Sequence, residues 1–501
     1  MNERSDSALA PSAAPSPTPG PAEGQRDGTI AAAPAQIRDP RQLRALANRL
    51  LKENRLAESI AAFEAFLVSH PEDAGTWSNL GVALRKKSLF EAAEKCYRRA
   101  LELRPGDAAF LGNMANVLKD LDRLDEAVEA HRQAVAARPG DYLLLFNHGL
   151  ALREAGRFAE ALEIFDRCIA HQPDNAKYHW DRALALLHLG RMKEGWEAYG
   201  WRWKIGELPA PDYEAEPWQG EALTGKSILL YPEQGFGDTI LATRFLPALK
   251  ALGPSEVILE VKGPLKRLFS ELEGVDRMIE PKSQRTGFDY HCSLMDLPGR
   301  FEACVGPLPP LPRLHVPQAA HDKMAPLLAR SGDRFKVGVI WSGSVTFKNN
   351  RKRAVGAERF LDLVGLPGVQ LYSLQKGPTE KELKAIGGGA LIVDLGRRIE
   401  DFAETAAVVQ ALDLVIMTDS ATAHLVGSLG RPIWDLLNYT PYWVYGQKGS
   451  TTPWYPSMRI FRQPEPSNWD PVFAEVKQAL VEAVELKKAG AWPPENGSWA
   501  T

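Results

Sequence analysis

Cysteine is scarce in this chain. There are four in 501 residues, Cys96, Cys168, Cys292 and Cys304, and none is paired as C-x-x-C. So few and so scattered, they exclude a disulfide framework. Long apolar runs are missing as well, which excludes a membrane-spanning helix. The first ten residues, M-N-E-R-S-D-S-A-L-A, lack the apolar core of a signal peptide, and a cytoplasmic location is expected. An excess of one charge is also missing. The net charge is −3 and no long basic run occurs, so a general nucleic-acid binder is not expected. What is present is ordinary: 45% hydrophobic and 25% charged residues, in a length that suits two to four domains.

Residues 1–38 are Ala, Pro, Ser and Gly with few large apolar side chains. Such a segment buries too little surface to offset the entropy of ordering, so disorder is expected. From residue 39 to 207 a repeat takes over. Pro71, Pro105, Pro139 and Pro173 are 34 residues apart, and the same step links Ala93, Ala127 and Ala161. It also links Leu50, Leu84, Leu118, Leu152 and Leu186, and Phe63, Tyr97, His131, Phe165 and Tyr199. This is the tetratricopeptide pattern, with four clear units and a degenerate fifth. Small residues let two helices cross closely, large ones fill the gap, and proline ends the second helix. Cys96 and Cys168 fall in these repeats and are expected to pack in the core. Trp196, Trp201 and Trp203 read as an aromatic cap. Asn79, Asn113 and Asn147 repeat at the same step on first helices, with Asp181 next. Two readings stand: an amide ladder that bonds the backbone of a bound peptide, or residues that cap and bridge helices.

Residues 208–225 are Pro-rich and read as a linker. Two α/β blocks are then expected, residues 226–317 and 318–501, joined by a hinge with five prolines between 307 and 317. Strands are expected at Ile228–Tyr231, Val257–Val261 and within 290–297 in the first block. In the second they are expected at Val337–Trp341, Gln370–Ser373, Leu391–Asp394, Leu414–Thr418 and Ile433–Leu437. After the first of these strands come Glu233, Gly235, Gly237 and Asp238, opening a helix that is expected to run to Gly253. The glycines are expected to let the backbone turn sharply. Asp238 reads either as a helix cap or as a general base at the carboxyl end of a strand. Glu233 is a second candidate base. In the other block, three loops at strand ends carry anion-binding groups. They are Ser342, Lys348 and Arg351; Gln375 and Lys376; and Asp419, Ser420 and Thr422 at a helix N-terminus, with His424 in its first turns. His424 reads as a donor to a leaving group or as a structural histidine.

Four segments carry a resemblance. E-Q-G-F-G-D-T (233–239), S-L-Q-K-G-P (373–378), the stretch 401–434 around D-S-A-T-A-H, and P-W-Y-P-S-M-R-I-F-R-Q (453–463) look like bacterial proteins that fuse tetratricopeptide repeats to a glycosyltransferase domain. That domain is similar to the heptosyltransferases of lipopolysaccharide synthesis. The resemblance implies a GT-B fold of two Rossmann-like lobes. The acceptor would lie on the N-terminal lobe and the nucleotide sugar on the C-terminal one. It implies a catalytic aspartate at Asp238 and a donor-phosphate segment at Asp419, Ser420 and His424; the glycine of that segment is here Ala421. The layout also resembles protein O-linked N-acetylglucosamine transferases. Bacterial flagellin glycosyltransferases, which add nonulosonic sugars such as pseudaminic acid to Ser or Thr, resemble it most in architecture. The expectation is therefore an inverting protein O-glycosyltransferase that needs no metal and no cofactor beyond its nucleotide-sugar donor, with a protein acceptor such as flagellin on the solenoid. The rivals are an enzyme acting on a glycan or lipid-linked acceptor, and a non-catalytic scaffold.

Overall fold

The computed structural model describes residues 39–209, 211–233, 235–301, 307–347 and 349–494. Residues 1–38, Cys304 and Lys348 lie outside them. The described residues form two compact units, one ending at Ala185 and one starting at Leu186.

The first unit is helical. It runs through α1 (Pro40–Lys52), α2 (Leu56–Ser69), α3 (Ala74–Lys86), α4 (Phe90–Leu103), α5 (Ala108–Asp120), α6 (Leu124–Ala137), α7 (Tyr142–Glu154) and α8 (Phe158–His171). The unit boundary falls within α9 (Ala176–His188). The 34-residue step is visible in every joint. Pro71, Pro105, Pro139 and Pro173 follow the ends of α2, α4, α6 and α8, where a missing N–H costs nothing. Two residues on, Asp73, Asp107 and Asp141 are N-caps whose carboxylates accept from backbone N–H groups at 2.8–3.2 Å. Asn175 occupies the same place before α9 and accepts from the Lys177 N–H at 3.2 Å. Inside, Phe63, Tyr97 and Phe165 are buried against the small residues of the preceding helix. A methyl group on Gly81 would lie 2.7 Å from the Tyr97 ring, and one on Gly149 2.6 Å from Phe165. Cys96 and Cys168 are buried.

The second unit opens with α10 (Met192–Tyr199) and a 3-10 turn, Gly200–Lys204. The first sheet then builds from β1 (Glu216–Pro217), β2 (Ser227–Tyr231), β3 (Glu256–Glu260), β4 (Arg277–Ile279) and β5 (Tyr290–Ser293). Its helices are α11 (Phe236–Ala242), α12 (Leu246–Ala251) and α13 (Leu297–Arg300). After α14 (Gln318–Leu328) come β6 (Phe335–Ile340), α15 (Asn350–Arg353), α16 (Leu361–Val364), β7 (Val369–Ser373), α17 (Glu380–Ala385) and β8 (Val393–Asp394). Then follow α18 (Phe402–Ala411), β9 (Leu414–Thr418), α19 (Ala421–Ser428), β10 (Ile433–Leu437), β11 (Met458–Arg462) and α20 (Asp470–Lys488).

All pairings are parallel. The first sheet has the order β1-β5-β2-β3-β4 and the second β11-β10-β9-β6-β7-β8. In the second, the chain starts at β6, winds outward through β7 and β8, then returns to the other side of β6 with β9. This is the doubly wound order, and it opens a crevice at the carboxyl ends of β6 and β9. In the first sheet the same reversal falls between β2 and β5. Parallel strands need both faces covered, and they are. Val337, Val339, Ile416, Trp434 and Phe461 pack under α20.

Several expectations need correction. The stretch 208–225 is more than a linker, because Glu216–Pro217 adds an edge strand to the first sheet. The helix expected from Asp238 to Gly253 starts at Phe236 and breaks at Thr243–Phe245, where Pro247 opens α12. Three strands carried no apolar run long enough to be read: β1, β4, and β11, whose Arg459 and Arg462 interrupt it.

Candidate functional site

The two crevices are built from the loops at the strand ends. In the first sheet, Glu233 and Asp238 follow β2. Glu233 is buried, with its carboxylate held by Arg202 Nε and Nη2 at 2.8–3.1 Å. The same Nη2 reaches Asp296, which follows β5, at 2.9 Å, and Nη1 donates to the Tyr199 carbonyl at 3.1 Å. One arginine thus stitches both sides of the switch point to the turn after α10. Burial pushes Glu233 up to about 7, against the pull of Arg202. With its oxygens clamped, this carboxylate is a structural partner of Arg202.

Asp238 is different. It sits in the first turn of α11, partly open to solvent. The N-cap is Gly235, and Asp238 lies three residues on, where its Oδ2 accepts from the Gly235 N–H at 3.2 Å. The cap reading therefore holds in altered form, as the return half of a capping box. The other oxygen, Oδ1, accepts from the Tyr442 hydroxyl at 3.3 Å. Tyr442 belongs to the loop after β10, in the second sheet's part of the chain. Loss of water raises the Asp238 pKa; the hydrogen bonds from the Gly235 N–H and the Tyr442 hydroxyl pull it back. Lys262, after β3, lies close enough to feel the Asp238 charge, with its ammonium 5.7 Å from the Phe236 ring.

The glycines do not turn as expected. Gly235 has φ −71° and ψ 174°, an extended geometry open to any residue. Gly237 is helical, and its need is for space. A methyl group there would lie 2.6 Å from the His424 ring and 3.1 Å from the Ala421 Cα. The tips of α11 and α19 thus meet in close contact.

His424 is buried. Its Nδ1 shares a 2.9 Å hydrogen bond with the Tyr455 hydroxyl, and its ring lies 6.3 Å from Tyr445 at 20°. Burial lowers its pKa, so the imidazole is neutral. Ser420 is the N-cap of α19 and makes no side-chain capping bond; Thr422 is half-buried in the first turn. Asp419, just before, accepts from the Tyr445 hydroxyl at 2.9 Å and lies 3.7 Å from Arg353 Nη1.

In the loop after β6, Ser342 is buried and its hydroxyl accepts from the Asn350 amide at 2.9 Å. Arg353 folds back over Phe347, 4.3 Å from the ring centroid, and lies against Gly343. It therefore stands between the β6 and β9 loops. Arg351 is exposed on α15. Gln375 is buried and fully engaged. Its Oε1 accepts from the Trp341 and Ser342 N–H groups at 3.0 Å, and its Nε2 donates to Ser342 O, Lys376 O and Thr379 Oγ1. It ties the β6 and β7 loops together and has no polar atom left to read a ligand. Lys376 donates to the carbonyls of Gly396 and Ile399 at 2.8 and 2.9 Å, bracing the loop before α18. Between the expected hinge and both sheets, Arg244 donates to Pro309 O and Trp454 O at 2.6–3.0 Å.

Asn79, Asn113 and Asn147 are half-buried on α3, α5 and α7. Asn79 donates to Asn48 on α1 at 2.8 Å, and Asn113 to Ser78 on α3 at 3.2 Å, so both link consecutive first helices. Asp181 is buried and paired with Arg153.

Residues 44–108, 80–142, 113–168 and 146–200 match the tetratricopeptide repeat family. The first unit is thus a tetratricopeptide solenoid, the kind of scaffold on which proteins dock other proteins. Over 319 residues the chain is 30% identical to Protein FlbA of Caulobacter vibrioides, covering 57% of this chain and 52% of that protein. The chain therefore spans about half the length of this curated relative. Among solved structures, YrrB, described as a tetratricopeptide protein with an unusual peptide-binding site, is 20% identical over 34% of this chain and 87% of its own, with a TM-score of 0.30. MamA from Desulfovibrio magneticus is likewise 20% identical, over 34% and 93%, with a TM-score of 0.30. Among the described residues, no helix is long and apolar enough to cross a membrane.

Reading from sequence missed Tyr442, Tyr445, Lys262 and Arg202. The signal for the two tyrosines was the aromatic density of P-Y-W-V-Y-G (441–446) directly after a buried strand. Arg202 lay hidden among the tryptophans of 196–203, where only a buried cation flanked by aromatics would mark it.

Proposed function

We propose that the chain is a protein O-glycosyltransferase of GT-B architecture, with the tetratricopeptide unit taking the acceptor protein. The observation that carries this reading is the setting of Asp238. It is a carboxylate at a switch point, partly open, turned by Tyr442, and set beside the first turns of α19, which Asp419 and Ser420 lead into and which bears His424. A general base needs that combination of access and orientation. The departing nucleotide phosphate would be met by the N-terminal end of α19, by Thr422, and by Arg353. Ser342, Gln375 and Lys376 serve this reading as braces of the loops. Lys348 and Arg351 are proposed as outer phosphate contacts. Asp238 would take the proton of a Ser or Thr hydroxyl as that oxygen attacks the anomeric carbon and the carbon–phosphate-oxygen bond breaks, inverting the centre.

Flagellin and a nonulosonic sugar are the acceptor and donor that the resemblance to flagellin glycosyltransferases suggests, and the Asn79, Asn113 and Asn147 positions are the proposed peptide contacts. Neutral His424, bonded to Tyr455, is better suited to shaping the helix tip than to donating a proton. The test is transfer itself. Purified protein, a candidate acceptor and a panel of nucleotide sugars should give a mass increment on the acceptor with wild type and none with Asp238→Asn. Transfer to a glycan or lipid-linked acceptor instead would move the reading to its rival.

A further inference from the structure

Asp435 on β10 plays no part in the mechanism above, and its setting is unusual. It is 0% exposed, and neither carboxylate oxygen has a hydrogen-bond partner. It is the middle residue of β10, in register with Met417 on β9 and Ile460 on the edge strand β11. The groups facing it are Tyr445, Asp419 at the end of β9, Arg353 of α15 and Arg462 of β11. Neither arginine pairs with it at hydrogen-bond distance. Arg462 spends its donors on the carbonyls of Tyr445, Gly446 and Gly449 at 2.6–3.1 Å. Arg353 leans to Asn350 and Asp419.

A bare carboxylate in such a place is costly, and a second carboxylate nearby makes it worse. Burial and the Asp419 charge drive its pKa well above the ordinary range. A neutral acid, by contrast, is a donor. Tyr445 stands between the two carboxyls, with its own proton given to Asp419 at 2.9 Å, which leaves its oxygen free to accept.

We propose that Asp435 is a protonated positioning residue whose hydroxyl donates to Tyr445, so that Tyr445 in turn holds Asp419 at the entrance to α19. The direction of both hydrogen bonds is then fixed by the buried proton. This holds whatever reaction the crevice carries out.

Infrared difference spectroscopy of wild type against Asp435→Asn at neutral pH tests the proton. A carbonyl band of a buried carboxylic acid, present in wild type and absent from the variant, is expected; its absence from wild type overturns the proposal. Stability gives an independent reading. The folded protein binds this proton more tightly than the unfolded chain, so its contribution is complete below pH about 3.8 and drains away as pH rises. The Tm advantage of Asp435→Asn over wild type should therefore widen with pH; a margin that narrows overturns the proposal. For positioning, Asp435→Leu should release the Tyr445 hydroxyl from Asp419 in its crystal structure, while Asp435→Asn keeps it. A bond unchanged in the leucine variant shows that Asp435 positions nothing.

Discussion

Asp238 and Tyr442 make the sharpest demands at the scale of single residues. As a base, Asp238 works only when ionised, and its pKa is raised by burial. Activity should therefore fall on the acid side with a limb above the ordinary carboxylate value of about 3.9. Tyr442→Phe removes a donor that favours the carboxylate. It should move that limb to higher pH and lower kcat, by roughly ten-fold at the former optimum. A pH–rate profile checks this, and an unshifted limb would show that Tyr442 does not act on Asp238. Glu233 was a second candidate for the same role in the sequence, and no local signal ranked the two. What separated them was Arg202, 31 residues away, which clamps one and leaves the other. Removing it by Arg202→Ala would strand two carboxylates around the first switch point. A loss of roughly 3–5 kcal/mol in denaturant unfolding is expected.

Packing governs at the scale of elements. The α11 and α19 tips touch through Gly237, and Gly237→Ala should cost about 1–3 kcal/mol or part the tips. In the solenoid, His131 holds the aromatic position of its repeat. It is fully buried, with both ring nitrogens unpartnered. Burial holds its pKa down to about 3. The unfolded chain takes the proton near 6.5, so native stability drains as pH falls from about 6.5 towards 3, by on the order of 4–5 kcal/mol in full. In the 34-residue register Phe63 corresponds to His131 and Ala47 to Ala115, and all four are fully buried. His131→Phe should therefore fit, and its Tm margin over wild type should widen towards acid; a constant margin would mean that the imidazole has found a partner. These elements were largely legible in the sequence. The 34-residue step wrote out the helices, their prolines and their buried positions, because every repeat solves the same packing problem. The long buried strands were legible too, as apolar runs between turn residues. The short edge strands were not, since β1 and β4 owe their pairing to a neighbouring strand rather than to any pattern of their own.

At the scale of the whole molecule, the chain joins a protein-docking solenoid to a unit with two doubly wound sheets. The candidate residues read from sequence in that unit do lie at strand ends, the positions where parallel sheets gather loops around a crevice. Those misread, Gln375 and Lys376, have the right chemistry but spend it on neighbouring backbone, which only coordinates reveal. If the solenoid selects the acceptor, Asn113→Ala combined with Asn147→Ala should raise the KM for a protein acceptor about ten-fold and leave donor binding unchanged. A fall in donor binding would contradict that division of labour. The central claim is that Asp238 activates a protein hydroxyl towards a nucleotide sugar. Intact-mass spectrometry of an acceptor such as flagellin, incubated with nucleotide sugar and either wild type or Asp238→Asn, tests it most directly. The account predicts a sugar-sized mass increment with wild type and a rate at least 100-fold lower with the variant. Equal glycosylation by the two proteins would contradict it.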